Sequence, residues 1–98
     1  MRSRYAAYAV GGRVGADHLF RTWHPRTRPD DTTPDPGLSW TGLTVEATEA
    51  GGADDTTGVV TFTARFSDAA GEPGALRERS RFTRRAGRWV YVDGDVDA

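Results

Sequence analysis

The chain has 98 residues, of which 37% are hydrophobic and 28% charged, and its formal net charge is −1. This balance is typical of a single folded domain, and the near-zero charge provides no general attraction to nucleic acid or to an anionic membrane surface. Because there is no cysteine, disulfides, thiol catalysis, iron–sulfur clusters and cysteine-ligated zinc are excluded for this chain.

Two short helices are predicted near the N-terminus. Residues 2–11 are rich in alanine, carry Tyr5 and Tyr8 one turn apart, and end at a Gly-Gly pair. Residues 15–23 form a second short amphipathic segment, which Pro25 ends. Neither segment approaches the ~18 apolar residues of a membrane span, and the first is a poor signal peptide. We therefore expect a cytoplasmic protein that does not enter a membrane.

Four strands are predicted after a proline-rich loop at residues 24–37, which has room for one helical turn. Apolar and polar residues alternate within the strands, and turn residues separate them, as in a meander of hairpins. Gly42 predicts a bulge that brings Trp40 to the packed face. The predicted strands are residues 40–49, 58–67, 75–84 and 88–95. Together the elements predict an α+β fold, with two or three helices on one face of a curved four-stranded antiparallel sheet.

Five ordered motifs carry a resemblance to a known family. They are MRSRYAAY, TWHPRTR, WTGLTV, GALRERSRF and GRWVYVDGD. In order and spacing they resemble the central domain of YchJ-like proteins, a bacterial family without an assigned function. The resemblance implies a single nuclear-transport-factor-2-like domain over residues 1–98. In that fold, which is also called cystatin-like or SnoaL-like, the sheet and helices form a cone with a cavity.

The resemblance does not include the zinc-binding motifs of the family. YchJ-like proteins usually carry cysteine-rich SEC-C motifs, thought to bind zinc, beside this domain, and this chain has no cysteine. The zinc function is therefore not carried over, and neither a metal nor another cofactor is expected. Either the chain is a natural short form, or its native start lies upstream of Met1.

The last hairpin decides which side chains share a face of the sheet. We favour a three-residue loop at 85–87, which sets Phe82 opposite Val90. The alternative is a two-residue turn, which sets Phe82 opposite Tyr91 and Ser80 opposite Asp93. In the favoured register, the outer face carries both arginine and aromatic side chains, namely Arg79, Arg81, Trp89 and Tyr91. Such a patch predicts a homodimer through the sheet, although a solvated arginine ladder paired with aspartates fits equally well.

Glu78 is the unusual residue of the third strand, because alternation aims it at the inner face with Ser80 and Phe82. A buried carboxylate needs a partner, and the candidates are Arg2, Arg4 and His24. We favour a structural ion pair or hydrogen bond that fixes the first helix on the sheet. The alternative is an acid–base dyad of Glu78 and His24 in a small hydrolase, dehydratase or isomerase.

For the large aromatic rings we favour filling of the core. The alternative is a pocket for a small apolar ligand inside the cone, with Arg4, Tyr8, Trp23, Trp40, Ser80 and Phe82 as its candidate lining residues. The alternating Asp93, Asp95 and Asp97 lack the glycine position and the glutamate of a calcium loop, so no metal site is predicted there. The leading hypothesis is a non-catalytic module that binds a small molecule or another protein.

Overall fold

A computed structural model of the chain describes residues 1–97. Its helices are α1 at Arg2–Val10 and α2 at Gly12–Arg21, and its strands are β1 at Ser39–Ala50, β2 at Thr57–Ser67, β3 at Pro73–Arg85 and β4 at Arg88–Asp97. The strands form one antiparallel sheet in the order β1-β2-β3-β4. The predicted α+β class and strand meander are confirmed, whereas α2 begins three residues before its predicted start.

Alternation gives the sheet two chemically different faces. The inner face packs against α1 and carries Phe62, Ala64 and Phe82, all of which are buried. The outer face lies on the opposite side and carries the arginines of β3 beside the threonines of β2. The buried apolar residues of the described chain are Ala7, Leu19, Phe62, Ala64, Phe82 and Val90. This core is small, so the packing of the helices on the inner face matters strongly for stability.

Bulges adjust the sheet on both of its edge strands. In β1 the extra residues are Thr41 and Glu46, because their neighbours pair with consecutive residues of β2. The bulge predicted beside Gly42 is therefore confirmed. It leaves Trp40 on the inner face, where its ring contacts the tyrosine rings of α1. Such bulges also make an open strand edge a poor template for pairing with another chain.

The last hairpin closes with a two-residue turn, so the favoured three-residue loop is wrong. Ala86 and Gly87 have φ values of 50° and 78°, which is the left-handed pair that a tight hairpin turn requires. Phe82 pairs with Tyr91, as the alternative register predicts. A bulge at Val92 then shifts the ladder, so Ser80 lies opposite Gly94 and neither predicted register holds over the whole hairpin.

The two helices meet at a close backbone contact. Gly11, with φ of 67°, separates α1 from α2, and Gly15 packs against the carbonyl of Ala7. The loop that follows α2 makes one turn at residues 24–28 and is then fixed to α2 by a 2.8 Å hydrogen bond from Thr32 to the Ala16 carbonyl. No helix within residues 1–97 has the length and apolar character needed to span a membrane. A cytoplasmic location stays a prediction.

We expect Gly15→Ala to destabilise the fold by about 1–3 kcal/mol, the usual result of overpacking. An ideal Cβ at this position would lie 2.2 Å from the Ala7 carbonyl oxygen, which belongs to the backbone. The sign of the change in unfolding free energy is informative, because a Gly→Ala substitution at an exposed position within a helix stabilises the fold by up to ~1 kcal/mol. Chemical denaturation measures the effect, and the exposed Arg13→Ala on the same helix is the control. A more stable Gly15→Ala would contradict the close contact.

Candidate functional site

A cavity of about 150 Å³ lies between α1 and the inner face of the sheet. Helix α1 forms its roof, and the first three strands together with Tyr91 of β4 form its floor and walls. One end is aromatic and aliphatic, and the other end is polar. The lining residues are Met1, Arg4, Tyr5, Tyr8, Trp40, Phe62, Ala64, Leu76, Glu78, Ser80 and Tyr91.

Trp40 is the centre of the aromatic end. Its ring centroid lies 6.3 Å from that of Tyr5, 6.0 Å from that of Tyr8 and 5.4 Å from that of Phe66. The rings meet at interplanar angles of 60–75°, which is the edge-to-face geometry that aromatic pairs prefer. Phe66 also lies directly over Gly74, where a Cβ would come within 2.6 Å of the ring. The Trp40 ring is therefore fixed by the tyrosines of α1 and by Phe66 of β2.

Glu78 forms the polar end through two hydroxyl groups. Its Oε2 accepts hydrogen bonds from Ser80 Oγ and, at 3.3 Å, from the Tyr91 hydroxyl. Gly94 lies beside the carboxylate, and a Cβ there would stand 2.6 Å from the carboxyl carbon. Glycine at 94 therefore makes space for this group. The predicted ion pair of Glu78 is wrong, because no salt bridge of the described residues includes it.

Arg4 is 4% exposed and fastens α1 to the end of α2. Its Nη1 donates to Thr22 Oγ1 at 2.7 Å and to the Leu19 carbonyl at 3.3 Å. Its guanidinium carbon lies 4.8 Å from the Trp23 ring centroid and 4.6 Å from that of Tyr91. These contacts combine a cation with a helix C-terminus and with two aromatic faces. Burial lowers the pKa of Arg4, while Tyr8 and Tyr91 oppose that change, and arginine stays charged.

Burial and charge also act on the tyrosines of the cavity. Burial, followed by the negative charge of Glu78, raises the pKa of Tyr91. Burial raises the pKa of Tyr8 as well, although the cationic Arg4 opposes the change. Both side chains therefore remain neutral hydroxyls at physiological pH. They act as hydrogen-bonding groups in the cavity and do not supply a phenolate.

The structure does not bring His24 to Glu78. The His24 N–H donates to the Tyr91 carbonyl at 2.7 Å, and the Tyr91 N–H donates to the Thr22 carbonyl at 2.8 Å. The chain before Pro25 thus runs alongside β4. The imidazole Nδ1 accepts the Arg26 N–H at 3.0 Å, and His24 is absent from the cavity lining. His24 has the local hydrogen-bonding role, so the predicted acid–base dyad is not assembled.

The predicted pocket residues fall into two groups. Arg4, Tyr8, Trp40 and Ser80 line the cavity. Trp23 and Phe82 do not line the cavity but pack against Tyr91. The ring centroid of Trp23 lies 5.0 Å from that of Tyr91, with the two rings perpendicular, and the ring centroid of Phe82 lies 5.7 Å from that of Tyr91. Phe82 also borders a second, more open recess near the hairpin ends. Tyr91 was missed as a lining residue because the favoured hairpin register turns it outward.

The outer face carries a network of ion pairs. Arg77 pairs with Glu46 at 2.8 Å and with Asp97, and Arg79 pairs with Glu49 at 3.0 Å. Arg81 pairs with Asp93 at 2.5 Å and with Asp95 at 2.8 Å. The solvated ladder paired with aspartates is therefore the arrangement found. These carboxylates outnumber the arginines, so this network of ion pairs carries no excess positive charge that would attract an acidic partner.

The aromatic half of the predicted outer patch is wrong. Trp89 lies opposite Arg84, whose guanidinium carbon stands 4.8 Å from its ring centroid, and it borders the same recess as Phe82. Tyr91 faces the cavity. The cause is the two-residue turn, since a shift of one residue moves side chains to the other face of a sheet. A homodimer through this face stays a prediction that now lacks its aromatic residues.

Comparison with known proteins identifies a family for nearly the whole chain. The family model described as YchJ, middle NTF2-like domain, matches residues 1–94. A UPF0225 protein of Streptomyces coelicolor is 52% identical over 97% of this chain and 70% of its own length. A UPF0225 protein of Streptomyces avermitilis is 50% identical over 97% of this chain and 62% of its own length. The chain thus spans about two thirds of these relatives.

A solved structure is similar over the full chain. It is the solution structure of a SEC-C motif containing protein from Rhodopseudomonas palustris, with a TM-score of 0.78 and 30% sequence identity. The match covers 100% of this chain and 76% of that protein. The fold, and not only the sequence pattern, is therefore shared with that protein.

We expect Tyr91→Phe to make the fold less sensitive to alkaline pH. The raised pKa of Tyr91 means that the folded state keeps this proton more tightly than the unfolded chain, whose tyrosines titrate near ~10. The contribution of the protonated Tyr91 hydroxyl to the free energy of unfolding is therefore present below pH ~10 and is lost as the pH rises further. Near neutral pH, the variant should lose about 0.5–1.5 kcal/mol, the value of one hydrogen bond.

Denaturant unfolding followed across alkaline pH measures this effect. Tyr5→Phe is the control, because the Tyr5 hydroxyl makes no hydrogen bond to the described residues. Parallel pH profiles for the parent chain and Tyr91→Phe would contradict the expected role of Tyr91.

We expect Arg81→Gln to weaken the fold at neutral pH and low salt. Its hydrogen bond lowers the pKa of Asp95, so the pair stabilises the fold above the carboxyl's unfolded pKa, and this contribution is lost as the pH falls. The difference from the parent should also shrink in high salt, because exposed charges are screened. Thermal unfolding at several salt concentrations and pH values measures it, with the exposed Arg26→Gln as control. A salt-independent difference would contradict the electrostatic origin.

Proposed function

The chain belongs to the family of the YchJ middle NTF2-like domain, and we propose that it acts there as a non-catalytic module that binds a small molecule. In this proposal the sheet curves around α1 as a half-cone, and the cavity is the binding site at its open end. Fold membership alone does not assign an activity. The proposal therefore rests on the shape and chemistry of the cavity.

The observation that carries the proposal is an unfilled space with an organised lining. Aromatic rings border it on several sides, but β2 contributes the small side chain of Ala64, which is 2% exposed, to its lining. A larger apolar residue there would fill the space and bury more surface, which usually stabilises a small domain. An apolar cavity with a few polar groups at one end is the usual form of a small-molecule site.

The polar groups support binding over catalysis. Nucleophilic or acid–base catalysis needs a nucleophile and a base that both reach the substrate. The Ser80 side chain is fully buried and its hydroxyl already donates to Glu78. Within the described residues no histidine lines the cavity. The charged groups at this end hold the walls together, which is the role expected of a preformed binding site.

We expect Ala64→Leu to abolish ligand binding by filling the cavity. Native mass spectrometry of the purified chain tests for a retained molecule, and thermal unfolding with a library of small fragments tests for binding. A fragment at about 100 times its Kd should stabilise the parent by about 2.7 kcal/mol. The control is Ala75→Leu, an exposed position on the same strand pair, which should respond as the parent does.

Two results would contradict the proposal. Fragments that stabilise Ala64→Leu as much as the parent would show that they bind elsewhere. A parent chain that retains no molecule and responds to no fragment would remove the binding function. Because Leu at a buried position also risks strain, Leu76→Trp provides a second filling variant from another wall of the cavity.

A further inference from the structure

The volume of the cavity limits its ligand to a very small molecule. Cavities for drug-sized ligands measure roughly 300–1,000 Å³, whereas this one measures about 150 Å³. An apolar cavity of ~150 Å³ in another protein admits benzene. Nucleotides, flavins and similar cofactors are therefore too large, and a single six-membered ring fits between the walls.

The charges around the cavity favour a neutral ligand. Arg4 and Glu78 line it with opposite charges, and each is held by its own partners. Met1 also lines it, and burial, together with Arg4 and Arg2, lowers the pKa of the Met1 amino group and so favours its neutral form. A carboxylate ligand would meet Glu78, and an ammonium ligand would meet Arg4. Either ligand would place a like charge in a partly desolvated space.

The carboxylate of Glu78 determines the polar group that the ligand should carry. An ionised carboxylate only accepts hydrogen bonds and has about four lone-pair sites. Oε2 accepts from Ser80 and Tyr91, while Oε1 accepts no hydrogen bond from residues 1–97. Glu78 is only half-buried and lines the cavity. A ligand with an O–H or N–H group at one end can therefore bond to Oε1.

We infer that the cavity takes a neutral molecule of the size of one aromatic ring that bears a hydrogen-bond donor, of the phenol class. The ring lies against Trp40 and the tyrosines of α1, and the donor reaches Glu78. This inference rests on the proposed function, because it specifies the ligand of the same cavity. It adds the requirements of size, zero charge and a single donor.

Four probes of similar size test these requirements separately. They are phenol, benzene, benzoate and benzylammonium, titrated into the full chain at neutral pH. Two-dimensional NMR reports their affinities, with the Trp40 indole N–H as the signal at the cavity. We expect phenol to bind most tightly, and benzene to bind roughly tenfold to a hundredfold more weakly, because it lacks the hydrogen bond to a charged acceptor.

Glu78→Gln tests the assigned acceptor. Because the amide oxygen still accepts a hydrogen bond but carries no charge, this variant should weaken phenol binding about fivefold to tenfold and affect benzene binding much less. Glu46→Gln on the outer face is the matched control, since Glu46 pairs with Arg77 away from the cavity, and it should change neither affinity. The comparison of phenol with benzene needs no variant, so it decides the question even if Glu78→Gln fails to fold.

The possible failures are distinguishable. Equal binding of phenol and benzene would overturn the donor requirement, and tighter binding of benzoate or benzylammonium would overturn the requirement for zero charge. In both cases the proposed binding function would stand. If the folded chain binds none of the four probes at millimolar concentrations, this inference is wrong, and the fragment library decides separately whether the proposed binding function also fails.

Discussion

The buried guanidinium of Arg4 is the contact on which the rest of the site depends. It lies over the rings of Trp23 and Tyr91, which also contact each other, and it donates to the C-terminal turn of α2. A single side chain thereby joins α1, α2 and β4. An isolated charge in such a place would be costly, but here a helix terminus and two ring faces compensate it. The height of α1 above the sheet, and so the cavity itself, follows from this contact.

Tyr91 contacts both the carboxylate of Glu78 and the guanidinium of Arg4, and these two charged groups form no salt bridge with each other among residues 1–97. The Tyr91 ring stacks against the cation while its hydroxyl donates to the anion. This arrangement keeps opposite charges near each other without closing them into a salt bridge across the cavity. The tyrosine therefore separates the structural role of Arg4 from the binding role proposed for Glu78.

Local patterns in the sequence were sufficient for the fold but not for the site. Alternation predicted four strands, and it also aimed Glu78 correctly at the inner face, because both depend only on the period of a strand. The partners of Glu78 could not be predicted in this way. They depend on a turn of two residues instead of three and on the bulge at Val92, which together decide that Tyr91 faces inward and that Gly94 lies under the carboxylate.

Similar limits apply to the arginines. The sequence suggested Arg4 as a charge partner of Glu78. The burial of its guanidinium against two rings, however, depends on how α1 and α2 cross. That crossing depends on Gly15 against the Ala7 backbone, which is a contact between residues of different helices. The outer arginines were easier to interpret, since alternation alone places Arg77, Arg79 and Arg81 on one face. Their partners on β1 required the bulge at Glu46.

The close contact between Phe66 and Gly74 has a consequence for how the strands find one another. A strand that slides by two residues keeps its apolar side chains on the inner face, so hydrophobic burial hardly distinguishes the two alignments. The ion pairs to β1 do not distinguish them either, because the arginines of β3 recur at every second residue. Such a slide would, however, put a residue with a side chain in the place of Gly74, where a Cβ comes within 2.6 Å of the Phe66 ring. This glycine contributes to the uniqueness of the folded state more than to its overall stability.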